Sequence, residues 1–259
     1  MILTVDIGNT NIVFGLFSQN NLLHKWRLAS DLQKTANDYA IDIVELCLNH
    51  HIDCLQINGS IIASVSPSLT IKIQEAIKKI GSSQLLKKTF LLADLLPKLN
   101  LDIQLNNKAE VGQDRLVNAF AGYQKFGGNL IIIDFGTATT FDVVGSSGEY
   151  LGGVIACGVN SSLKALHENT AQLPKINSKP QKKVIGKNTF EAMNSGSYFG
   201  NIALVNGLTQ QIDLELKITT TKVITGGLSE IFKDALQSTT NHYQPNLTLE
   251  GLKIIFDQQ

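Results

Sequence analysis

Short apolar runs along the chain alternate with longer segments in which apolar residues recur every three or four positions. The segment SIIASVSP at 60–67 is typical of a buried strand leading into a helix, with Ser66 as the cap and Pro67 as the first helical residue. KVITGGLSEIFKDAL at 222–236 predicts a strand, a Gly-Gly turn and a helix. Further amphipathic helices are predicted by the apolar positions Leu69, Ile73, Ala76, Ile77 and Ile80, and by Tyr39, Ile43 and Leu46. Alternating strands and helices indicate an α/β fold.

One strand pattern occurs twice. An apolar run ends at Asp6, turns through small polar residues and resumes at Ile12, and the same arrangement surrounds Asp134. The repeat predicts two similar domains, at 1–116 and 117–259, each opening with a strand, a DxG turn and a returning strand in a mixed sheet. A cleft between the two copies would let both turns face one ligand.

Composition narrows the classes of protein. The chain has 43% hydrophobic and 17% charged residues, which predicts a substantial core and argues against disorder. Lys plus Arg and Asp plus Glu each number 22, so the net charge favours neither nucleic acid nor an acidic membrane as a partner. The first residues lack the features of a secretion signal, and no apolar run approaches the roughly 20 residues that span a bilayer. We expect a cytoplasmic protein that binds neither nucleic acid nor membrane.

The cysteines and histidines lack the spacing of metal sites. The three cysteines form no CxxC pair and the five histidines form no HExxH motif, so structural or exposed roles are expected for them. His167 is the least secure of these assignments because it follows a glycine-rich turn. The lysine-rich segment 174–188 predicts an exposed loop, which is either a solvated surface or a region that steers a ligand.

The two DxG turns have the chemistry of a phosphate site. Glycine at the third position lets the backbone approach a phosphate without a Cβ clash. Asn9, Thr10 and Thr137 can donate hydrogen bonds to phosphate oxygens. Asp6 and Asp134 would repel phosphate unless a cation lies between them, which implies Mg²⁺, another cation, or both. Each aspartate could instead cap its own turn, but two copies in matching strand contexts favour the cation hypothesis.

Other nucleotide motifs are missing from the sequence. VIGKNT at 184–189 lacks the Ser/Thr and the upstream glycine of a P-loop, no GxGxxG follows a strand, and GxSxG does not occur. The phosphate contacts are therefore assigned to the two hairpin turns and to Gly226 and Gly227.

A further candidate lies between the two copies, in EVGQDRLVNAF at 110–120. The carboxylate of Asp114 could orient and deprotonate a hydroxyl, while Arg115 could hold an anionic group of the same substrate. A surface ion pair or a helix-start carboxylate is the open alternative. GGVIACG at 152–158 adds another turn that allows close approach.

Taken together, the motifs resemble type III pantothenate kinases, of the acetate kinase, sugar kinase, heat-shock chaperone and actin superfamily. DxGNT alone occurs across that superfamily, whereas the whole set in this order is highly specific. The resemblance implies two actin-like (ribonuclease H-like) domains around a nucleotide cleft. It also implies ATP-dependent phosphorylation of pantothenate to 4'-phosphopantothenate, the first step of coenzyme A synthesis. The motifs are DIGNTN (6–11), EVGQDR (110–115), DFGTATT (134–140), GGVIACG (152–158), TAQLP (170–174), GKNTFEAMNSG (186–196) and TGG (225–227).

The resemblance also implies roles for individual residues. The general base falls on Asp114, the monovalent-cation ligand (K⁺ or NH₄⁺) on Asp134, and a less secure Mg²⁺ ligand on Asp6. Thr189 matches a substrate contact from a partner subunit, which implies a homodimer. The other pantothenate contacts fall on Gly112, Gln113, Asp114, Arg115 and Leu105. The ATP contacts fall on Asp6, Ile7, Gly8, Asn9, Thr10, Asn11, Ile12, Val13 and Thr137.

Three positions depart from the family pattern. Leu105 stands where the family usually has tyrosine, Gln113 where it has alanine, and Cys157 where it has proline. None of these changes removes a charged group, so we expect an active enzyme with altered pantothenate affinity.

Two alternative functions stay open. A kinase of another small alcohol or sugar would use the same turns, and a non-catalytic regulator could retain the fold and an ATP pocket. Retention of the four charged residues argues against the regulator; they are Asp6, Asp114, Arg115 and Asp134.

Overall fold

The structure, a computed structural model, describes residues 1–81, 88–99 and 101–259. The chain divides into two compact units. Unit 1 comprises Met1–Leu101, Ala109–Ala121 and Thr248–Gln259, and unit 2 comprises Asp102–Lys108 and Gly122–Leu247. Each unit contains a mixed five-stranded sheet and helices, which confirms the predicted α/β class with two similar domains.

The sheet of unit 1 has the strand order β3-β2-β1-β4-β5. The first three strands form an antiparallel meander, and β4 and β5 run parallel to β1. The strands are β1 (Ile2–Ile7), β2 (Asn11–Ser18), β3 (Asn21–Ala29), β4 (Gly59–Ser64) and β5 (Thr89–Leu91).

The helices of unit 1 cover this sheet with the faces that the apolar spacing predicts. Helix α1 (Ala36–Asn49) begins with a reciprocal capping box between Thr35 and Asp38. Helix α2 (Pro67–Ile80) has Ser66 at its N-cap position and proline at its start, as predicted, but the side chain of Ser66 makes no capping hydrogen bond. Their buried side chains join those of β1 and β2 in one core; they include Tyr39, Ile43, Leu69 and Ile73. Two further α-helices among the described residues are α3 (Leu92–Leu95) and α4 (Gln113–Phe126), and the last turn of α4, from Gly122, belongs to unit 2.

Unit 2 repeats the same sheet. Its order is β10-β9-β6-β7-β8, with β6, β7 and β8 antiparallel and with β9 and β10 parallel to β6. Strand for strand, β6 to β10 therefore correspond to β1 to β5. The elements are β6 (Leu130–Phe135), β7 (Ala138–Val144), β8 (Tyr150–Cys157), α5 (Val159–Glu168), α6 (Thr189–Leu216), β9 (Thr221–Thr225), α7 (Ser229–Leu236) and β10 (His242–Tyr243).

The last helix, α8 (Leu247–Asp257), returns to unit 1 from Thr248 onward. Its apolar face packs in one cluster with β4 and α4, through Leu252, Ile255 and Phe256. Gly59 at the start of β4 makes room for this helix, because a Cβ there would lie 2.4 Å from Cζ of Phe256. This packing explains why the two units do not divide at residue 116, where the sequence repeat suggested a boundary.

A second short segment also crosses the expected boundary. Asp102–Lys108 belongs to unit 2, where it attaches to the edge strand β8. The backbone of Gln104 donates to the carbonyl of Tyr150 (2.9 Å), and the backbone of Tyr150 donates to the carbonyl of Asp102 (2.7 Å). The segment therefore extends the open edge of the second sheet.

Within the described ranges, none of the helices combines the length and the apolar character needed to cross a membrane. The segment 174–188 contains neither helix nor strand, as predicted for a loop, and most of it is exposed, although Ile176 and Ser178 are buried.

Candidate active site

The first DxG turn, between β1 and β2, is open on its outer side. The backbone N–H of Gly8 donates to the carbonyl of Asn11 (2.9 Å), which closes the turn. Behind it, Ser30 donates through Oγ to the carbonyl of Gly8 (2.7 Å) and through its backbone N–H to the carbonyl of Thr10 (3.0 Å). Asn9 and Thr10 are exposed. The turn is thus held from behind by one serine, with its polar side chains facing solvent.

The second DxG turn, between β6 and β7, is one residue shorter. The backbone N–H of Gly136 donates to the carbonyl of Ala138 (3.0 Å), and Thr137 is exposed. Ser161 in the first turn of α5 donates through Oγ to the carbonyl of Thr137 (2.8 Å). Gly158, the N-cap residue of α5, packs so closely that a Cβ there would lie 2.1 Å from the same carbonyl oxygen. The start of α5 therefore packs directly against the second DxG turn.

Asp134 lies against the Gly-Gly turn that follows β9. A Cβ on Gly226 would lie 2.3 Å from Oδ1 of Asp134 and 2.5 Å from the backbone nitrogen of Phe135. Gly226 has φ of +96°, a conformation that side chains rarely adopt. Ser229 donates to the carbonyl of Gly226 (2.7 Å), which holds the turn in place. The carboxylate of Asp134 is half-buried in this cradle of backbone atoms.

The carboxylate of Asp134 is a ligand of the kind that hard cations prefer. In the described part of the chain, no group of three or more His, Cys, Asp or Glu side chains is arranged to hold a metal ion. A cation at Asp134 or Asp6 would therefore take its remaining ligands from backbone oxygens, water or phosphate.

Asp114 lies in the first turn of α4, where the helix dipole favours a carboxylate. Its Oδ1 lies 2.4 Å from where a Cβ of Gly112 would be, so this glycine gives the carboxylate its space. Asp114 and Arg115 are both half-buried. The Oε1 of Gln113 accepts a hydrogen bond from the backbone N–H of Ser64 (3.2 Å).

This hydrogen bond brings two of the predicted site segments together within unit 1. Ser64 ends β4 and pairs with Ile7 at the end of β1, directly before the first DxG turn. The start of α4, with Asp114, is therefore attached to the same edge of the sheet from which the Asp6 turn emerges.

Leu105 lies on the segment that extends the edge of β8. Its Cδ2 is 3.5 Å from where a Cβ of Gly152 would be, and the side chain is half-buried. Beneath this edge, Tyr150 donates to the buried carboxylate of Asp142 (2.8 Å). The apolar side chain of Leu105 therefore lies over the part of β8 that contains Gly152 and Gly153.

Thr189 is the exposed first residue of the long helix α6. The turn before it is rigidly capped: Asn188 accepts from the backbone of Glu191 (2.9 Å), and Glu191 accepts from the backbone of Lys187 (2.8 Å). A Cβ on Gly186 would lie 2.4 Å from the nitrogen of Ala192, so this glycine packs directly on the helix. The GKNTFE sequence is therefore a helix-start motif that presents Thr189 outward.

Several contributors to the site were missed by sequence reasoning. Ser30 and Ser161 anchor the two turns but lie 22 and 24 residues from the carbonyls they hold, with no local motif to mark them.

His167, expected to be structural or exposed, is exposed, and its Nδ1 lies 2.7 Å from the carbonyl of Leu173 in the TAQLP loop. Cys157 is an exposed free thiol directly before Gly158.

Comparisons with known proteins agree with these motifs. A family model described as type III pantothenate kinase matches residues 2–211. A protein of Acidiphilium cryptum named type III pantothenate kinase is 40% identical over 259 residues, covering 98% of this chain and 94% of that protein. One of the same name from an Exiguobacterium species is 38% identical over 258 residues, covering 100% of this chain and 99% of that protein.

Solved structures share the fold at low sequence identity. A Campylobacter jejuni structure whose description names a Baf family transcriptional activator aligns with a TM-score of 0.59 at 18% identity, covering 99% of this chain and 98% of that one. A Sinorhizobium meliloti structure described as a 2-dehydro-3-deoxygalactonokinase aligns with a TM-score of 0.58 at 11% identity, covering 98% and 95%. The fold and the full-length sequence similarity agree, and the chain belongs to the type III pantothenate kinase family.

Proposed function

We propose that the chain transfers the γ-phosphoryl group of ATP to the primary hydroxyl of pantothenate and so forms 4'-phosphopantothenate for coenzyme A synthesis. The substrate class follows from family membership. The observation that supports the reaction most strongly is the attachment of Asp114's helix to the sheet edge that carries the first DxG turn. A candidate base and a candidate phosphate-binding turn are thereby held on one rigid support.

ATP binds through the first turn, from Asp6 to Val13, and through Thr137 of the second. Gly8 lets the backbone approach the phosphates, and the exposed Asn9 and Thr10 offer hydrogen-bond donors to phosphate oxygens. Mg²⁺ bound with ATP would neutralise charge on the phosphates, and the carboxylate of Asp6 is its candidate protein ligand. The half-buried Asp134 serves a monovalent cation.

Asp114 acts as the general base. A primary alcohol is a poor nucleophile, and phosphoryl transfer depends mainly on holding it in line with the γ-phosphate. The carboxylate orients the pantothenate hydroxyl and receives its proton as the new bond forms. Arg115, next to it, holds the anionic carboxylate of pantothenate, while Gly112, Leu105 and Thr189 contribute to the acceptor pocket.

The test is Asp114→Asn, which keeps the shape of the side chain and removes its basicity. We expect kcat to fall by about 10²–10⁴-fold, because a general base typically contributes that factor. ATP affinity should change little, because the variant leaves both turns intact. Asp94→Asn, a change at an exposed carboxylate on α3, is the matched control and should retain wild-type kcat. If the Asp114→Asn variant folds and keeps more than a tenth of wild-type kcat, the assignment is contradicted.

The active form is a homodimer in which Thr189 serves the partner's site. Unit 2 exposes several large apolar side chains near the start of α6, and such surfaces are typical of faces that a second copy covers. They are Val184, Ile185 and Phe190. Light scattering at micromolar concentration should give about twice the chain mass of 28.2 kDa. A fully active monomer would rule out the shared site.

A further inference from the structure

The side chain of Gln113 accepts a hydrogen bond from β4 at a position beyond the end of the neighbouring strand β5. Along β4, the N–H of Ser60 donates to Lys88 beside β5 (2.9 Å), whereas the N–H of Val65 donates to Ile7 of β1 (3.0 Å). Because N–H groups alternate in direction along a strand, the N–H of Ser64 faces the β5 side. However, β5 ends at Leu91, which pairs with Ile62. Gln113 supplies the acceptor for Ser64 that the short strand β5 does not reach.

This acceptor also holds the residue beside the proposed base. Gln113 precedes Asp114, so a bond from its side chain to β4 restrains the first turn of α4. On the other side, Oδ1 of Asp114 occupies the space that a side chain at position 112 would need, so only glycine fits there. The carboxylate is thus flanked by a glycine with no room for a side chain and by a glutamine bonded to the sheet.

The later turns of α4 are held by different contacts. Asn118, which is 1% exposed, accepts a hydrogen bond from Oγ1 of Thr248 on α8 (2.8 Å). A Cβ on Gly251 would lie 2.7 Å from Cγ1 of Val117, so α8 packs closely on the same part of α4. These contacts begin at Val117, one turn after Gln113. The bond from Gln113 to Ser64 lies one turn before these contacts, at the start of the helix.

We propose that Gln113 is a positioning residue that sets Asp114 relative to the phosphate-binding turn through its bond to Ser64, and that it does not bind pantothenate. The proposal rests on the proposed role of Asp114 as the base. A base that is displaced or mobile loses alignment in the transition state, so the effect falls on kcat. Loss of one hydrogen bond corresponds to about a two- to tenfold decrease.

Two variants separate the acceptor function from the donor function of the glutamine amide. Gln113→Glu keeps an oxygen that can accept from Ser64 but loses the NH₂ donor, whereas Gln113→Met keeps the length and loses both. We expect the Met variant to show the two- to tenfold decrease in kcat with an unchanged KM for pantothenate. The Glu variant should retain kcat, which is compared on the plateau of the pH profile because the variant adds a second titratable carboxyl group. Gln113→Ala provides a second loss-of-acceptor variant if the Met variant melts below the assay temperature.

Two results would overturn the proposal. One is wild-type kcat in the Met or Ala variant. The other is an equal rise in the KM for pantothenate in the Glu and Met variants, which would show that the NH₂ group contacts the substrate.

A double-mutant cycle distinguishes failure of this proposal from failure of the base assignment. If Gln113 acts through Asp114, then Gln113→Met should have no further effect in an Asp114→Asn background. A second decrease of the same size in that background would overturn the positioning role. The base assignment is judged separately, by the kcat of Asp114→Asn alone.

Discussion

The two DxG turns share a sequence pattern and a strand topology, yet they differ in what surrounds them. The first is backed by Ser30, and among the described residues a Cβ on Gly8 would meet the carbonyl of Asn11, at 3.1 Å. The second is enclosed by backbone from two later segments, at Gly158 and Gly226. A repeated hairpin therefore gives one turn supported mainly from one side and another that is packed by two later segments, with Thr137 left exposed. The sequence repeat predicts the hairpin conformation, while the segments that pack against each turn determine how much of it is left accessible to a ligand.

The largest expected effect comes from adding a methyl group to the Gly-Gly turn that packs against the second DxG turn. Gly226→Ala forces a residue with φ of +96° to carry a Cβ 2.3 Å from Asp134. Backbone strain and overpacking each cost about 1–3 kcal/mol, so we expect a loss of roughly 2–6 kcal/mol in the free energy of unfolding, measured in urea. By comparison, Gly8→Ala should cost about 1 kcal/mol or less and should mainly weaken ATP binding. Equal losses of stability in the two variants would remove the distinction between the turns.

The second prediction compares the two carboxylates. If Asp134 serves a monovalent cation and Asp6 lies nearer Mg²⁺, then replacing K⁺ by Na⁺ should lower wild-type turnover while the protein stays folded. Asp134→Asn should reduce turnover by roughly ten- to a hundredfold and abolish the difference between the salts, because a charged contact is worth about 1.5–3 kcal/mol. Asp6→Asn should keep the difference between the salts and raise the Mg²⁺ concentration needed for half-maximal rate. Equal wild-type rates in K⁺ and Na⁺ would contradict the role of Asp134.

The smallest effect is expected from the two serine anchors. Ser30→Ala and Ser161→Ala each remove one hydrogen bond to a turn carbonyl. In the open turn the loss should raise the KM for ATP by about two- to tenfold, because one bond is worth about 0.5–1.5 kcal/mol and no close backbone packing replaces it. In the enclosed turn Gly158 still holds the carbonyl, so the change should stay below about twofold. A larger effect of Ser161→Ala would reverse this ranking of the two turns.

Local patterns were sufficient to predict the elements that make these turns. Proline after Ser66, helical spacing along α2 and the two hairpins were all confirmed, since each depends on residues close together in the chain. The return of α8 to unit 1 could not be predicted in this way. It depends on the fit of Phe256 against Gly59, and neither residue carries a local signal of the other.

In the candidate site too, contiguous motifs could be predicted from the sequence and contacts between distant segments could not. The glycines of the turns were identified because each motif is contiguous, but the contact of Gly158 with Thr137 joins segments 21 residues apart. Gln113 was expected to touch the substrate because it lies in a motif with Asp114. Its bond to Ser64, 49 residues away, becomes apparent only when β5 is seen to end at Leu91. The substrate contacts themselves stay predictions.

The return of α8 also affects the order in which the protein can assemble during synthesis. Residues 248–259 leave the ribosome after the whole of residues 122–247, yet they fill the space between β4 and α4 in unit 1. Unit 1 therefore stays incomplete, with apolar surface around Phe90 and Phe120 uncovered, until translation reaches the end of α8. Contacts between residues so distant in sequence form slowly because a long loop must close first. Unit 2 takes all but Asp102–Lys108 from the continuous stretch 122–247, so its sheet, unlike the core of unit 1, does not depend on the last helix.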